Sequence, residues 1–174
     1  MKQKVTYHVT SVYDIPDSFF RESGIKALVV DLDNTLDSAY TNIPRPEAFQ
    51  LKQRLKDLGI EMIIVSNNSA KRVDEYCKKL DVHYLSSAQK FRKGKISKFL
   101  ILLGYRTEDC LFVGDQLFTD RVYVNKMHGR LILTEPLVKK DQFFTRFVRG
   151  IDNSVRKRWK KKGILGKTIE KEDV

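Results

Sequence analysis

The fold of this chain is decided by the stretch ALVVDLDNTL, residues 27 to 36. Its first four residues are small or apolar, and a short continuous run of this kind predicts a strand buried on both faces. Asp31 and Asp33 follow one residue apart, so in an extended chain their side chains point to the same side. Two neighbouring carboxylates at the end of a buried strand repel each other and lose hydration. The sequence therefore predicts a compensating charge close to them.

Apolar runs alternate with helical patterns along the rest of the chain. Strands are predicted at 27–31, 60–66, 82–86, 109–115 and 130–136, and helices at 45–59, 68–81, 94–105 and 117–128. This alternation predicts an α/β fold with a parallel sheet and helices on both of its faces. The first 24 residues are interpreted as a lead-in segment with a short helix near Ser18–Ser23.

Composition limits the class of protein. With 174 residues and 41% hydrophobic content, the chain suits one domain with a sizeable core and is not disordered throughout. Cys77 and Cys110 fit no zinc or redox spacing and are expected to be free thiols in a reducing compartment. The start of the chain lacks the apolar core of a signal peptide, and the longest apolar run, residues 99–105, is too short to span a bilayer. We expect a cytoplasmic protein that can touch the inner membrane surface.

Polar residues follow four of the predicted strands, and parallel strands end at the same edge of a sheet. In chain order they are Asp31 and Asp33, then Ser66 and Asn67, then Lys90, then Asp115 with Asp120 nearby. Taken singly, each is commonly a turn residue, a helix cap or a solvated charge. Their joint order, each just after a strand, favours a single functional site.

Metal-assisted phosphoryl transfer is the chemistry that uses such a set. Clustered carboxylates and carbonyl oxygens suit Mg²⁺, which would offset the repulsion between the acids. One carboxylate can then act as nucleophile, and a second can give a proton to the leaving oxygen and later take one from water. A hydroxyl and a lysine can hold the phosphoryl oxygens.

The motifs DLDNTL, VSNN, a downstream lysine and GDQLFTD resemble the four motifs of the haloacid dehalogenase (HAD) superfamily of phosphatases. The similarity covers roughly residues 25 to 135. The residues of these motifs are similar to those of the YqeG-type IIIA branch of the superfamily. That branch is related to mitochondrial phosphatidylglycerophosphate phosphatases. The resemblance implies a Rossmann-like three-layer sandwich with a central parallel sheet.

The resemblance also implies roles for particular residues. Asp31 would be the nucleophile and a metal ligand, and Asp33 the general acid and base, with its main-chain carbonyl facing the metal. Asp115 would be the third metal contact, and Asp120 would bind the metal directly or through water. Thr35 would support the loop that follows the first strand.

The phosphoryl group has its own implied partners. Ser66 and the backbone N–H of Asn67 would bind it, and Lys90 would neutralise it. In the resembling branch proline typically follows the lysine, whereas Phe91 follows Lys90 here, and Lys93 and Lys95 lie close by. Lys90 is the preferred candidate because it comes directly after the third-strand loop.

Motif spacing leaves no room for a cap domain. Between Asp31 and Ser66 the chain can hold only a loop, a helix and a strand, and between Ser66 and Lys90 only a helix and a short strand. In HAD enzymes the cap closes over small substrates. An open site is thus expected, which favours a bulky substrate or a partner that serves as the lid.

The C-terminal extension carries much of the net charge of +11. Residues 1–138 are interpreted as the phosphatase domain and residues 139–174 as a basic amphipathic extension. Its apolar residues at 144, 147, 148, 151, 155 and 159 follow helical steps among many cations, including RKRWKKK at 156–162. Such a helix is typical of a membrane-surface binder, with Trp159 at the interface. Packing of that stripe on the domain is an equal alternative, and a nucleic-acid patch is a third.

These observations predict a Mg²⁺-dependent phosphomonoester hydrolase that acts through an aspartyl-phosphate on Asp31. The substrate hypothesis is an anionic lipid phosphate such as phosphatidylglycerophosphate. One alternative is a phosphatase for a nucleotide, a nucleic-acid end or a phosphoprotein. Another is a non-catalytic RNA- or membrane-binding protein, which would have no physical need for Asp31 and Asp33 at a buried strand end. The sequence does not give the oligomeric state.

Overall fold

A parallel sheet forms the centre of the molecule in the computed structural model, which describes residues 5–90, 94–137 and 154–170. Its strands are β1 (Tyr7–Val9), β2 (Ala27–Val30), β3 (Glu61–Val65), β4 (His83–Leu85), β5 (Cys110–Gly114), β6 (Arg130–Thr134) and β7 (Lys167–Thr168). Their spatial order is β4-β3-β2-β5-β6-β1-β7, and every neighbouring pair is parallel. The predicted parallel sheet is therefore confirmed.

Helices cover both faces of this sheet. The described helices are α1 (Asp17–Ser23), α2 (Pro46–Asp57), α3 (Ala70–Leu80), α4 (Lys95–Leu102), α5 (Asp120–Lys126) and α6 (residues 154–161). Buried side chains of α1, α2 and α3 join one apolar cluster, while those of α4 and α5 join a second, to which α6 also packs. The three-layer sandwich that the sequence predicts is confirmed.

Strand β2 shows why two layers of helices are needed. All four of its side chains are fully buried. Leu28 and Val30 belong to the cluster under α1, α2 and α3, whereas Ala27 and Val29 belong to the cluster under α4 and α5. Successive strand side chains point to opposite faces, so a strand that is apolar at every position must be covered on both.

The direction of winding reverses between β2 and β5, which are direct neighbours in the sheet. From β2 the chain moves outward through β3 and β4, and it then returns to add β5 and β6 on the other side of β2. Ligands of open α/β sheets bind at the carboxyl ends of the strands at such a reversal. Asp31 follows β2 and Asp115 follows β5, so both lie at this point.

No inserted domain interrupts the described segments that join β2 to β3 and β3 to β4. The first contains a loop and α2, and the second contains α3. The expected absence of a cap agrees with these two segments, neither of which contributes a covering domain to the carboxyl edge of the central strands.

The two ends of the described chain differ from the expectation. The lead-in segment contains the expected short helix, α1, but also strand β1, which the sequence did not predict. Strand β7 was not predicted either, and it pairs with β1 at the edge of the sheet. Both strands are too short to form an apolar run that could be seen in the sequence.

Helix α6 packs against the domain through the side chains Val155 and Trp159. The indole ring of Trp159 lies under the guanidinium of Arg121, 4.9 Å from ring centroid to Cζ. This placement differs from the interface position expected for Trp159 and matches the alternative in which the stripe packs on the domain. The apolar positions 144, 147, 148 and 151 lie outside the described residues. Within the described ranges, no helix is both long enough and apolar enough to cross a membrane.

Candidate active site

Three neighbouring strands deliver the acidic and hydroxyl groups to one edge of the sheet. Asp31 follows β2, Ser66 follows β3 and Asp115 follows β5, and these strands are adjacent in the order β3-β2-β5. All three side chains are buried. The structure thus brings together residues that are far apart in the sequence.

A tight turn after β2 presents the two acids of the DxD pair. Asn34 adopts a left-handed conformation with φ of 64°, and its N–H donates to the carbonyl of Asp37 at 2.7 Å. The hydroxyl of Thr35 donates to the Asp31 carboxylate at 3.4 Å, so Thr35 links this turn to Asp31. Asparagine tolerates positive φ better than most residues, so this turn suits its sequence.

The carboxylate of Asp37 holds the far side of this turn. It accepts hydrogen bonds from the backbone N–H groups of Ser38 and Arg45, at 2.8 and 3.1 Å, and from the hydroxyl of Tyr76 at 3.2 Å. Because three donors converge on one buried carboxylate, both ends of the loop that joins β2 to α2 are fixed.

Asp31, Asp115 and Asp120 form a cluster that can hold a cation. Each offers one carboxylate oxygen, these oxygens lie within 4.8 Å of one another, and all three residues are buried. Carboxylate oxygens are the ligands that Mg²⁺ prefers. With Lys90 beside them, three carboxylates and one ammonium leave two negative charges, which a divalent cation would balance. The residues present therefore fit a bound Mg²⁺.

Among the described residues, Lys90 is the lysine that reaches the cluster. The side chain of Lys90 is only 3% exposed. Its Nζ donates to Asp31 Oδ1 and, at 2.7 Å, to Asp120 Oδ1. Its ammonium also lies 5.5 Å from the ring centroid of Tyr123. Lys95, in contrast, is exposed and donates to the carbonyl of Ser87, and Lys93 lies outside the described residues.

The buried ion pair of Asp31 and Lys90 shifts the pKa values of both groups. Burial raises the pKa of Asp31 well above its ordinary value, Lys90 opposes that rise, and Asp120 and Asp115 add to it. For Lys90, burial acts to lower the pKa, but the carboxylates of Asp120 and Asp31 outweigh it and hold the pKa above its ordinary value. The lysine is therefore charged at neutral pH, and further positive charge near Asp31 would favour its ionised form.

Asp120 is pressed against the backbone of β5. Its Oδ2 accepts a hydrogen bond from the N–H of Gln116 at 3.1 Å. An ideal Cβ on Gly114 would lie only 2.2 Å from Asp120 Cγ, so no larger residue fits there without moving Asp120. The close approach of Asp120 thus explains why the GDQLFTD motif begins with glycine.

Asp33 stands slightly apart, in a second group of contacts. Its side chain is 22% exposed, its Oδ2 accepts from the hydroxyl of Ser66 at 3.0 Å, and its Oδ1 accepts from Arg72 Nη1 at 2.5 Å. Ser66 Oγ also accepts from the N–H of Asn68 at 3.0 Å. Asp33 is therefore oriented on both of its oxygens and remains open to a substrate.

Asn67 connects the β3 loop to the lysine. It is exposed, and its Oδ1 accepts from the backbone N–H of Lys90 at 3.0 Å. The side chain of Asn67 thereby fixes the position of Lys90, in addition to the substrate-binding role that its own N–H is expected to have.

Sequence reasoning missed two arginines. Arg72, in the first turn of α3, joins Asp33 to the carbonyls of Thr41 and Ser38, at 3.0 and 2.7 Å. Arg156 is buried and donates to the carbonyls of Thr134 and Asp115. Arg72 could have been suspected because a helix that starts after β3 brings its first turn to the site. Nothing in RKRWKKK distinguishes Arg156 from its solvated neighbours.

The fold and this site define a phosphatase of the HAD superfamily. Among solved structures, the chain is similar in fold to 3-deoxy-D-manno-octulosonate 8-phosphate phosphatase from Yersinia pestis, with a TM-score of 0.52 and 15% identity. That similarity covers 69% of this chain and 77% of the other. A hypothetical protein from Xanthomonas campestris has the same TM-score at 19% identity, over 71% of this chain and 72% of that one.

The chain belongs to the mitochondrial PGP phosphatase family, whose model matches residues 3–138. It is 30% identical to the Bacillus subtilis protein named Probable phosphatase YqeG, over 89% of this chain and 90% of that protein. It is also 30% identical to phosphatidylglycerophosphate phosphatase 1, chloroplastic/mitochondrial, of Arabidopsis thaliana. That match covers 83% of this chain but 44% of the longer plant protein. The enzyme class expected from the motifs, a phosphoric monoester hydrolase, is confirmed.

Proposed function

We propose that this phosphatase hydrolyses a lipid phosphomonoester in a magnesium-dependent reaction through an aspartyl-phosphate on Asp31. The observation that carries the proposal is the buried Asp31 carboxylate, beside Lys90 and two further carboxylates, at the reversal point of a parallel sheet. Lys90 offsets part of the cost of burying this carboxylate, and a bound cation would offset more of it.

In the first half of the reaction, an oxygen of Asp31 attacks the phosphorus, and the bond to the leaving alcohol oxygen breaks. Asp33 gives its proton to that oxygen, so the alcohol leaves neutral. Ser66 and the N–H of Asn67 hold the phosphoryl oxygens, and Lys90 neutralises their charge. Mg²⁺ bound by Asp31, Asp115 and Asp120 would supply further positive charge to the phosphoryl group.

In the second half, Asp33 takes a proton from water while the water oxygen attacks the phosphorus of the aspartyl-phosphate. The bond between the Asp31 oxygen and phosphorus breaks, which releases inorganic phosphate and restores both acids. Arg72 donates to Oδ1 of Asp33 and so keeps the carboxyl group directed at the same place in both halves.

Two features support a lipid as the substrate. The segments between β2 and β4 contain no cap, so a bulky phosphomonoester can reach the site. The Arabidopsis relative is named for phosphatidylglycerophosphate, a phosphomonoester of a lipid. A lipid headgroup presents its phosphate at the end of a flexible stem, which suits an open edge better than an enclosed pocket.

Phosphate release from a panel of substrates tests the proposal. Phosphatidylglycerophosphate in mixed micelles, a sugar phosphate, a nucleotide and a phosphopeptide are each assayed with Mg²⁺ and with a chelator. We expect magnesium-dependent turnover of the lipid, and ³²P label from it that stays on the wild-type protein but not on Asp31→Asn.

Asp57→Asn, which changes an exposed carboxylate at the far end of α2, is the control and should retain full turnover. Turnover confined to the soluble phosphates would remove the lipid substrate. Full turnover by Asp31→Asn, or turnover that ignores the chelator, would remove the mechanism.

A further inference from the structure

We infer that the loop between β2 and α2, with the first turn of α2, docks on the surface of an anionic lipid bilayer and holds the catalytic edge against it. This docking segment comprises residues 38–49. The inference rests on the proposed lipid substrate and adds the surface that would bring the enzyme to it.

Exposed apolar side chains mark the docking segment. Tyr40, Ile43 and Phe49 are 62%, 64% and 44% exposed. The described residues contain six exposed large hydrophobic side chains, and half of them lie within the twelve positions of the docking segment. Single exposed apolar residues are ordinary, but a group of them beside a functional site is typical of an interaction surface.

The docking segment is attached to the catalytic machinery by one guanidinium. Arg72 donates to the carbonyls of Ser38 and Thr41, which flank Tyr40 in the chain, and to the carboxylate of Asp33. All three acceptors lie within reach of the same planar group. The backbone on either side of Tyr40 is therefore linked through one side chain to Asp33, the proposed general acid.

The exposure of these side chains is built into the loop. Asp37 fixes the loop at both ends through the N–H groups of Ser38 and Arg45, and Lys79 Nζ donates to the carbonyl of Asn42 at 3.2 Å. Since the backbone is held at several points, Tyr40 and Ile43 are kept on the outside and away from the core. A loop with no function outside the domain would gain by burying them.

Exposed cations lie in the docking segment and on helix α3, which contacts it. Arg45 is 39% exposed at its side chain, and Lys71 and Lys79 on the adjoining helix α3 are exposed. Glu47 and Glu75 are also present, and Glu75 accepts a hydrogen bond from Asn42. Apolar and aromatic tips among exposed cations match the chemistry of an anionic bilayer, in which apolar groups enter the acyl boundary and cations meet lipid phosphates.

Two double variants test the inference. Tyr40→Ser with Ile43→Ser removes apolar area from the docking segment. Ile101→Ser with Leu102→Ser is the matched control, because these side chains are 67% and 84% exposed at the end of α4, where the chain returns to the opposite edge of the sheet. Both pairs are exposed, so neither change opens the core.

Binding is measured by sedimentation with large vesicles of phosphatidylcholine and phosphatidylglycerol in equal parts, and with vesicles of phosphatidylcholine alone. We expect the docking variant to lose about tenfold in vesicle affinity, as removal of two partly inserted apolar side chains implies. The control should bind as wild type does, and neutral vesicles should bind all three proteins more weakly. Equal binding of the two variants, or no preference for anionic vesicles, would overturn the inference.

Catalysis gives a second readout that separates this inference from the proposed function. The ratio of turnover on vesicle-embedded phosphatidylglycerophosphate to turnover on p-nitrophenyl phosphate should fall about tenfold in the docking variant and stay constant in the control. An unchanged ratio in the docking variant would refute docking while leaving the lipid phosphatase intact. If wild type hydrolyses p-nitrophenyl phosphate but no lipid, the substrate proposal fails, and sedimentation alone then decides whether this segment binds bilayers.

Discussion

Gly114 lies in close contact with Asp120, and a single methyl group at Gly114 should disable the site. An ideal Cβ at this position would be 2.2 Å from Asp120 Cγ and 2.4 Å from Asp120 Oδ2, whereas ordinary contacts begin near 3.4 Å. In Gly114→Ala, Asp120 must therefore retreat by about 1 Å, because ordinary packing does not allow closer contact. Its ion pair with Lys90 and its hydrogen bond from Gln116 would both be stretched.

The size of the effect follows from this displacement. A misplacement of about 1 Å in a catalytic constellation costs on the order of 100-fold in rate. Overpacking a close contact costs about 1–3 kcal/mol in the free energy of unfolding. We therefore expect Gly114→Ala to remain folded, to lose roughly 100-fold in kcat, and to need more Mg²⁺ for half-maximal activity.

The assay compares kcat, the Mg²⁺ concentration at half-maximal rate and the denaturant midpoint for wild type, Gly114→Ala and Gly129→Ala. Gly129→Ala is the matched control, since its Cβ would meet the apolar side chains of Phe112 and Val124 at 2.9 and 3.0 Å. The control should lose stability but keep its Mg²⁺ requirement. A Gly114→Ala protein with wild-type kcat and Mg²⁺ requirement would refute the claim that Asp120 must stay where it is.

Three further predictions concern the tail, the pH and the thiols. Arg156→Ala removes the donors to the carbonyls of Asp115 and Thr134, so the free energy of unfolding should fall by about 1–3 kcal/mol and the Mg²⁺ requirement should rise. Arg156→Lys should recover part of both losses. An unchanged Mg²⁺ titration in Arg156→Ala would contradict this role of Arg156. Because burial raises the pKa of Asp31, its ionisation favours unfolding as the pH rises above the ordinary value for aspartate, and Mg²⁺ competes with that proton. The rise in Tm that Mg²⁺ produces should therefore be larger near about pH 8 than near about pH 5, and a calorimetric shift that shrinks with pH would contradict this. Burial raises the pKa of Cys77 and of Cys110 to about 12, so native protein should react with Ellman's reagent far more slowly than unfolded protein, and rapid reaction of both native thiols would show the burial to be wrong.

The central strands were predictable because each is an apolar run long enough to be seen. Strands β2, β3 and β5 are buried at nearly every position, and their short length and β-branched residues favour buried strands over helices. Strands β1 and β7 were not predictable, because they have three and two residues and include exposed or half-buried polar side chains. The pairing of β1 and β7 depends on segments that are distant in the sequence, so the local sequence pattern does not reveal it.

The acidic side of the site followed from topology, since residues just after neighbouring parallel strands must meet. The cationic side followed only in part. Lys90 could be named because it comes directly after the third-strand loop, whereas Arg72 and Arg156 have the same local pattern as arginines that face water. What separates them is burial and the carbonyl oxygens that they reach, and both depend on chain segments distant in sequence.

Strand β1 lies between β6 and β7, so Tyr7 is paired with Ile132 on one side and Lys167 on the other. The backbone N–H and C=O groups of β1, near the start of the chain, can therefore form their hydrogen bonds only after β6 and β7, near its end, are in place. Closing such long loops is slow and entropically costly, whereas β2 and β3 are joined through a single helix. On a ribosome, the middle of the sheet can form while the nascent chain is still growing, and its flank is completed last. Thermal fraying should begin at that same flank, so hydrogen exchange at His8 should precede exchange at Val29.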